Sequence, residues 1–297
     1  MALFYRRDDP NDPRLGEAVR FDEKFYADSQ IVLLGCPQDE GIRRNGGRVG
    51  AAAAPDEIRR YFYRLVAPDR FPRIFDLGNT VIQATLEETH QKHRDIVRQV
   101  IRDGKTLIIL GGGNDVSYPD CAGLAMEMAE ILAFNVDAHF DVRADDPCNS
   151  GTPYRQLIEE ALITPQKFYE MGWQPFANAS TYLRYLNDHK VHHYNIHKIR
   201  EIGVHTVFQT ILSNITVDAI FWGLDMDVVQ ASDAPGVSAP NPTGFTAAEF
   251  CKVAEIAGQD KRSRIFEITE VNPTYDIDRR TCRLAAAAMF YFLLGKA

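Results

Sequence analysis

The sequence predicts a three-layer α/β/α sandwich built on a central, mainly parallel sheet, and three observations carry that prediction. Five short runs are apolar at successive positions instead of alternating, which is how strands covered on both faces read. Amphipathic helical stretches fall between those runs, giving a β-α alternation. The 297 residues, 45% hydrophobic and 25% charged, suffice for one large core, and no repeat, low-complexity tract or linker interrupts them.

Residues 1–30 are polar and aperiodic and predict an N-terminal arm or edge lying on a single domain that spans residues 1–297. The strand runs are Ile31–Gly35, Thr106–Gly111, Ile131–Asp137, Ala219–Asp225 and Arg264–Glu270. Helical patterns occupy Pro55–Leu65, with proline in its first turn, and Glu88–Asp103, with Ile96, Val97, Val100 and Ile101 on one face. Thr152–Leu162, Thr246–Ala257 and Cys282–Leu294 complete the set, the last apolar nearly all round and therefore predicted to be buried.

Composition narrows the function. With 41 acidic against 33 basic residues the net charge is −8, which argues against a nucleic-acid footprint. No apolar run is long enough to span a bilayer, and the N-terminus lacks the apolar segment of a secretory signal. Cys36, Cys121, Cys148, Cys251 and Cys282 are odd in number and show no CxxC spacing, so they read as reduced thiols of a cytoplasmic protein. Cys36 ends the first strand and is a candidate redox-sensitive thiol near the crevice.

Polar groups mark the strand ends: GGGND after the second run, DAHFD after the third, LDMD at the fourth and EITEVNP at the fifth. Ligands of open α/β sheets bind at the carboxyl ends of strands, so the four clusters converge on one crevice. In extended chain, residues two apart share a face, so Asp137, His139 and Asp141 can aim at one point, as can Asp225 and Asp227. Four carboxylates and an imidazole facing one another repel unless they hold one or two divalent cations. An oxygen-rich set with imidazole suits Mn2+, and two close ions lower the pKa of a shared water. GGGND lacks the Lys-Ser/Thr of a phosphate-binding P-loop.

Taken together, GGGND, NVDAHFD, GLDMDVVQASDAPGVSAPNPTG and ITEVNP resemble, in order and over roughly residues 31–275, the motif set of the arginase/agmatinase/formimidoylglutamase (ureohydrolase) family. The resemblance implies the arginase-like fold and two Mn2+ ions per subunit. Asp137 and Asp225 would bridge both ions, Asp141 would ligate the first, and His139 and Asp227 would complete the second. The family places a histidine where this chain has Asn114, a neutral and weaker ligand, so the adjacent metal position is expected to bind loosely.

Three features resemble the formimidoylglutamase subfamily: Ser150-Gly151-Thr152-Pro153 in place of a His-Gly segment, Ala234–Pro240, and Cys36–Arg60. The implied reaction converts N-formimidoyl-L-glutamate to glutamate and formamide, as in histidine degradation. Glu270 would sit beside the cationic amidine, and Asp141 would act as general acid/base. The substrate's carboxylates call for arginine. Arg143 is the first candidate, with Arg48, Arg155, Asn45, Ser150 and Gly151 behind it. Arg43, Arg44 and Arg59 read as solvated charges or helix-end partners. Two alternatives stand: a ureohydrolase acting on a guanidino acid, and a metal-poor, non-catalytic regulatory subunit suggested by Asn114. Ureohydrolases commonly assemble, so a homo-oligomer is expected. His189, His192, His193 and His197 flank a predicted strand and read as structural. His90 and His93, at i and i+3 on a helix, belong to no recognisable site.

Overall fold

The apolar runs pair side by side. In the computed structural model, which describes residues 3–297, eight strands form one sheet: β1 (Ile31–Gly35), β2 (Ile74–Asn79), β3 (Thr106–Leu110), β4 (Ile131–Val136), β5 (Phe168–Trp173), β6 (His192–Asn195), β7 (Ala219–Asp225) and β8 (Ser263–Thr269). Their order is β2-β1-β3-β8-β7-β4-β5-β6, and every neighbouring pair is parallel. The five runs singled out in the sequence are the five contiguous central strands. The three that escaped notice lie at the edges. β2 turns outward after three buried residues, β5 carries Glu170 and Gly172 in its middle, and β6 is four residues with none fully buried.

Alternate residues of each strand feed two cores. Leu132, Phe134, Trp222, Leu224, Phe266 and Ile268 pack on one face against helices Ala54–Phe62, Val204–Asn214, Ala247–Gln259 and Arg280–Lys296. Trp222 is fully buried and stacks on Phe134 at 4.4 Å. On the other face Ile131, Ala133, Phe221 and Ile265 pack against helices Leu86–Arg102, Ser117–Ala125, Pro153–Glu159 and Ser180–Asp188. Burial of such side chains contributes roughly 1.5–3 kcal/mol each, which is what holds a sheet with this many polar residues at its tips. The second of these helices was not read from the sequence, and it matters below. Helix Leu86–Arg102 begins two residues earlier than its apolar pattern, because Thr85 and Glu88 form a capping box.

The N-terminal segment lies on the open edge of β2, where the Arg20 amide donates to Ile74 O and the Asp76 amide donates to Arg20 O. Leu15 and Val19 are buried under it. Arg59, expected to be solvated, is instead fully buried and forks onto both carboxylate oxygens of Asp76 at 3.0 and 3.1 Å. Among the described residues no helix is long and apolar enough to cross a membrane.

Register decides where the polar strand ends fall. Val136 lies opposite Leu224, and both Leu224 and Leu110 lie opposite Ile268. Asp137, Asp225, Thr269 and Gly111 therefore close the four adjacent central strands at one level. Above them the glycine loop passes so near the 38 position that a Cβ on Gly112 would sit 1.5 Å from Gln38 O. The Gly112 carbonyl accepts from the Glu270 amide at 2.8 Å, fixing the end of β8. A Gly112→Ala variant should lose roughly 1–3 kcal/mol of stability through overpacking. Thermal unfolding reads this directly; a variant with the parent's Tm would mean that the loop yields without cost.

Candidate metal centre

Above that level the backbone bends, and the bends bring the acids together. β4 ends at Val136, and residues 137–139 turn, with the Asp137 carboxylate accepting from the His139 amide at 2.7 Å. β7 ends at Asp225, whose carboxylate accepts from the Asp227 amide at 2.8 Å at the start of a 3-10 turn. Aspartate bonding its own backbone two residues on is a local turn device. Convergence thus arises from two such turns and not from strand alternation, which corrects the geometric reason expected from the sequence. Asp141 and Glu270 sit in the left-handed region at φ +46° and +61°. Backbone in that region costs about 1–3 kcal/mol for a side chain of this kind and is held by its surroundings.

Two groups of ligand atoms result, each within 4.8 Å mutually: Asp137, His139 and Asp227, and Asp137, Asp141 and Asp225. His139 Nδ1 lies 3.0 Å from Asp227 Oδ2 and 3.5 Å from Asp137 Oδ1. Glu270 accepts from the Asn114 amide at 3.0 Å and from Ser238 Oγ at 2.5 Å. Asn114 presents its nitrogen to the acids, with Nδ2 2.7 Å from Asp141 Oδ2 and 3.3 Å from Asp137 Oδ2. Its oxygen points away, toward Ser117 and Thr269. In that orientation Asn114 is a donor to the cluster, whereas the sequence suggested a weak ligand.

The electrostatics demand a cation. Burial, then the charge on Asp227, raises the Asp137 carboxyl to about 6. Burial, then Asp137, pushes Asp141 well above the carboxylate range, and burial, then Asp227 and Asp137, does the same to Asp225. Burial lifts Glu270 to about 8 against the opposing bonds from Ser238 and Asn114. The Asp227 charge, opposed by burial and reinforced by the imidazole's hydrogen bonds to Asp137 and Asp227, pushes His139 up to about 12. Asp227 Oδ1 is buried without a hydrogen-bond partner among the described residues. Acids that cannot ionise together, an imidazole recruited as a cation and an orphaned carboxylate oxygen are what a divalent cation site looks like without its ion. The donor set fits Mn2+.

The crevice above this floor measures about 290 Å3, and its rim carries Asn45, Arg143, Ser150 and Ser238. Arg143 Nη1 donates to Asn45 Oδ1 at 3.0 Å, and Asn45 Nδ2 donates to Ser150 Oγ at 3.0 Å. The other rim candidates do not line the crevice. Arg48 donates to the carbonyls of Ser238 and Val237 and stacks 4.3 Å over Tyr275. Arg155 pairs with Glu159 at 2.8 Å and lies over Tyr185. Gly151 is buried, its carbonyl accepting from the Arg143 amide. Cys36 is fully buried, and burial, then Asp120 and Asp115, pushes its thiol well up.

Sequence reasoning missed a polar layer under the site. His90 Nε2 lies 2.7 Å from Asp115 and His93 Nε2 2.8 Å from Asp120, all four buried. Their i, i+3 spacing was the available signal; of the acids opposite, Asp115 lies in the 3-10 turn Asn114–Val116 and Asp120 on the helix that follows, which has no polar pattern of its own. The 189–197 histidines stay structural: His192 stacks on Tyr169 at 4.6 Å and His193 meets Trp173 edge-on.

The chain is similar to several known proteins. The family model described as Arginase family matches residues 29–295. A formimidoylglutamase of Salmonella paratyphi C is 31% identical over 298 residues, covering 96% of this chain and 94% of the relative. The structure of Trypanosoma cruzi formiminoglutamase with Mn2+ superposes with a TM-score of 0.90 at 31% identity, over 96% of this chain and 98% of that one. Formimidoylglutamase from Bacillus subtilis gives a TM-score of 0.90 at 28% identity, over 99% of this chain and 96% of that one.

Proton linkage follows from the raised carboxyls. Asp137 and Glu270 bind protons in the folded chain up to about pH 6 and 8, above where they would in the unfolded chain, so without a cation they contribute a loss of stability as pH rises through that window. A bound cation displaces those protons and reverses the sign. The rise in Tm on adding Mn2+ should therefore be larger at pH 8 than at pH 6. An equal rise at both would contradict the raised carboxyls.

Proposed function

The chain belongs to the arginase family, and on that premise we propose a Mn2+-dependent formimidoylglutamase that hydrolyses N-formimidoyl-L-glutamate to glutamate and formamide. One observation carries the choice of substrate: the crevice sets an acid floor beneath a rim whose one cation, among the described residues, is Arg143. A cationic amidine is drawn to the floor and a carboxylate to the rim. In this substrate the amidine carbon is three bonds from the α-carboxylate carbon, whereas in arginine six bonds separate the corresponding atoms. Arg143 follows Asp141 by two residues, a span of at most about 7 Å, so the nearer pair of charges suits the crevice better.

Asp137, His139, Asp141, Asp225 and Asp227 would hold the ions, which when bound supply Lewis acidity and an activated water at the crevice floor. Asp137 belongs to both groups of ligand atoms. Glu270, anchored by the Asn114 amide and Ser238 Oγ, orients the amidine through charge-assisted hydrogen bonds. Arg143, braced by Asn45 and Ser150, orients the α-carboxylate, and the Asn45 amide and Ser150 hydroxyl offer donors to the second one. Burial, then the Asp137 charge, pushes the Asp141 carboxyl well above the usual carboxylate range, and it is the group placed to hand a proton to the departing α-nitrogen as the bond to the formimidoyl carbon breaks. On this reading the enzyme is a cytoplasmic homo-oligomer of histidine degradation, acting on a small molecule with no nucleic-acid or membrane partner. The net charge of −8 and the free cysteines support the compartment and the absence of nucleic acid; the oligomer rests on resemblance alone.

The test is hydrolysis of formimidoylglutamate, arginine and agmatine with and without Mn2+. Mn2+-stimulated release of glutamate and formamide is expected. Urea from a guanidino substrate would move the assignment to another ureohydrolase, and no turnover of any substrate would leave a non-catalytic subunit. Arg143→Ala should raise KM with little change in kcat, lowering kcat/KM about ten- to a hundredfold, the worth of a charge-assisted bond. Unchanged KM would remove Arg143 from the site.

A further inference from the structure

The turn Asn45-Gly46-Gly47 lines the crevice, and its own sequence gives it little to hold it there. Gly46 is left-handed at φ +74°, and a Cβ built on it would touch nothing. The short helix Glu40–Arg44 holds one end of the turn, through the Asn45 amide donating to Gly41 O at 3.1 Å. The other end is held by Arg48. Its Nε donates to Ser238 O at 3.2 Å and its Nη2 donates to Val237 O, so one guanidinium spans two successive carbonyls of the segment that follows β7. Ser238 and Ala239 of that segment line the same crevice. The guanidinium also lies 4.3 Å from the Tyr275 ring centroid, while Arg48 O accepts from Asn272 Nδ2 at 2.7 Å. Both of these residues follow β8, so three loops meet at one arginine. These partners are carbonyls, an amide and a ring, all neutral. What an arginine supplies among them is direction: its planar fork meets two carbonyls while its face covers the ring.

We infer that Arg48 is a positioning residue for substrate carboxylates: by clamping the Asn45–Gly47 turn to the Val237 and Ser238 carbonyls it fixes Asn45, and Asn45 fixes Arg143. This rests on the proposed formimidoylglutamate substrate. Arg143 is a long side chain whose Nη1 is steadied by Asn45 Oδ1 at 3.0 Å. Ordering such a side chain costs roughly 1.5–2 kcal/mol of rotamer freedom, and a brace set before the ligand arrives removes that cost from binding. The brace works only if the backbone of Asn45 is itself fixed. Between Asn45 and Arg48 stand two glycines, which have no side chain to anchor and the widest backbone freedom. Gly47 cannot take an anchor of its own, because a Cβ there would sit 2.8 Å from Ile42 Cγ2. The hold on that end of the turn therefore falls to Arg48. Its Nε and Nη2 are committed to carbonyls, and it does not line the crevice, so it acts on the substrate through the rim and not by contact.

The test is made on the full chain supplemented with Mn2+. Arg48→Met keeps the length of the stem and removes the donors. It should raise KM for formimidoylglutamate about tenfold with little change in kcat, the scale of a charge-assisted bond. Calorimetric affinity for L-glutamate, which carries both carboxylates and needs no turnover, should fall by the same factor. Formamidine, an amidine without carboxylates, should inhibit both proteins equally. In an Arg143→Ala background the group being positioned is gone, so Arg48→Met should change glutamate affinity by less than about twofold. An unchanged KM, a tenfold loss in both backgrounds, an equal weakening of formamidine, or full recovery by Arg48→Lys, which keeps the charge without the fork, would overturn the inference while leaving the substrate assignment intact. A wild type that neither turns over formimidoylglutamate nor binds glutamate would overturn both. Should Arg48→Met fail to unfold cooperatively on heating, Tyr275→Leu carries the test. That ring is 43% exposed and its loss spares the core. The same direction is expected, at about threefold.

Discussion

Five carboxylates share a crevice whose walls exclude most of the solvent, and two unit charges 4 Å apart at a protein-like dielectric repel by roughly 4 kcal/mol. Asp137, Asp225, Asp227 and Glu270 are each at most 3% exposed, so water does not relieve them. Everything around the crevice answers that repulsion. His139 is recruited as a cation, the Asn114 nitrogen is turned toward Asp141, and the backbone amides of residues 114, 139 and 227 point at Glu270, Asp137 and Asp225. These responses are partial, which is why the carboxyls stay raised and why a divalent ion completes the site.

The sheet makes the crowding possible. The four adjacent central strands β3, β8, β7 and β4 end at one level, and each is packed on both faces. The apolar cores on either side hold strand register, and register holds the acids. Left-handed backbone at Asp141 and Glu270 is tolerated for the same reason. Each is pinned on a strand end that the core fixes, so the local cost is absorbed by packing elsewhere.

That division explains what the sequence disclosed. Doubly covered strands are continuous apolar runs, so the five central strands were legible; the edge strands β2 and β6 were not, because they mix exposed with partly buried positions, and β5 was not, because Glu170 and Gly172 interrupt its apolar run. The candidate ligands stood out because acids at the ends of apolar strands have no evident structural use, and the structure brings them together. Their convergence was legible only in outcome, since the turns at Asp137 and Asp225 are made by the acids' own backbone bonds. Among the arginines, sequence put Arg143 ahead of Arg48 and Arg155 but kept them as candidates, because what draws those two away from the crevice is a partner distant along the chain, Val237 and Ser238 for one and Tyr185 for the other. The polar layer under the site was invisible for a related reason. Glu267 sits within an apolar strand and Asp120 within an apolar helix, and one charge in such a setting reads as an interruption until its opposite number is seen.

The geometry also bears on why a chain would keep Asn114. A histidine there would add a ligand and tighten one ion, at the cost of a donor to Asp141. The carboxyl of Asp141 is the group proposed to carry a proton to the leaving nitrogen, and the bond from Asn114 Nδ2 at 2.7 Å works against protonation by favouring its charged form. Burial and the Asp137 charge work the other way. The amide therefore opposes the rise that burial and the Asp137 charge impose on Asp141. That side chain is in turn held from below, where Ser117 and Thr269 donate to its oxygen.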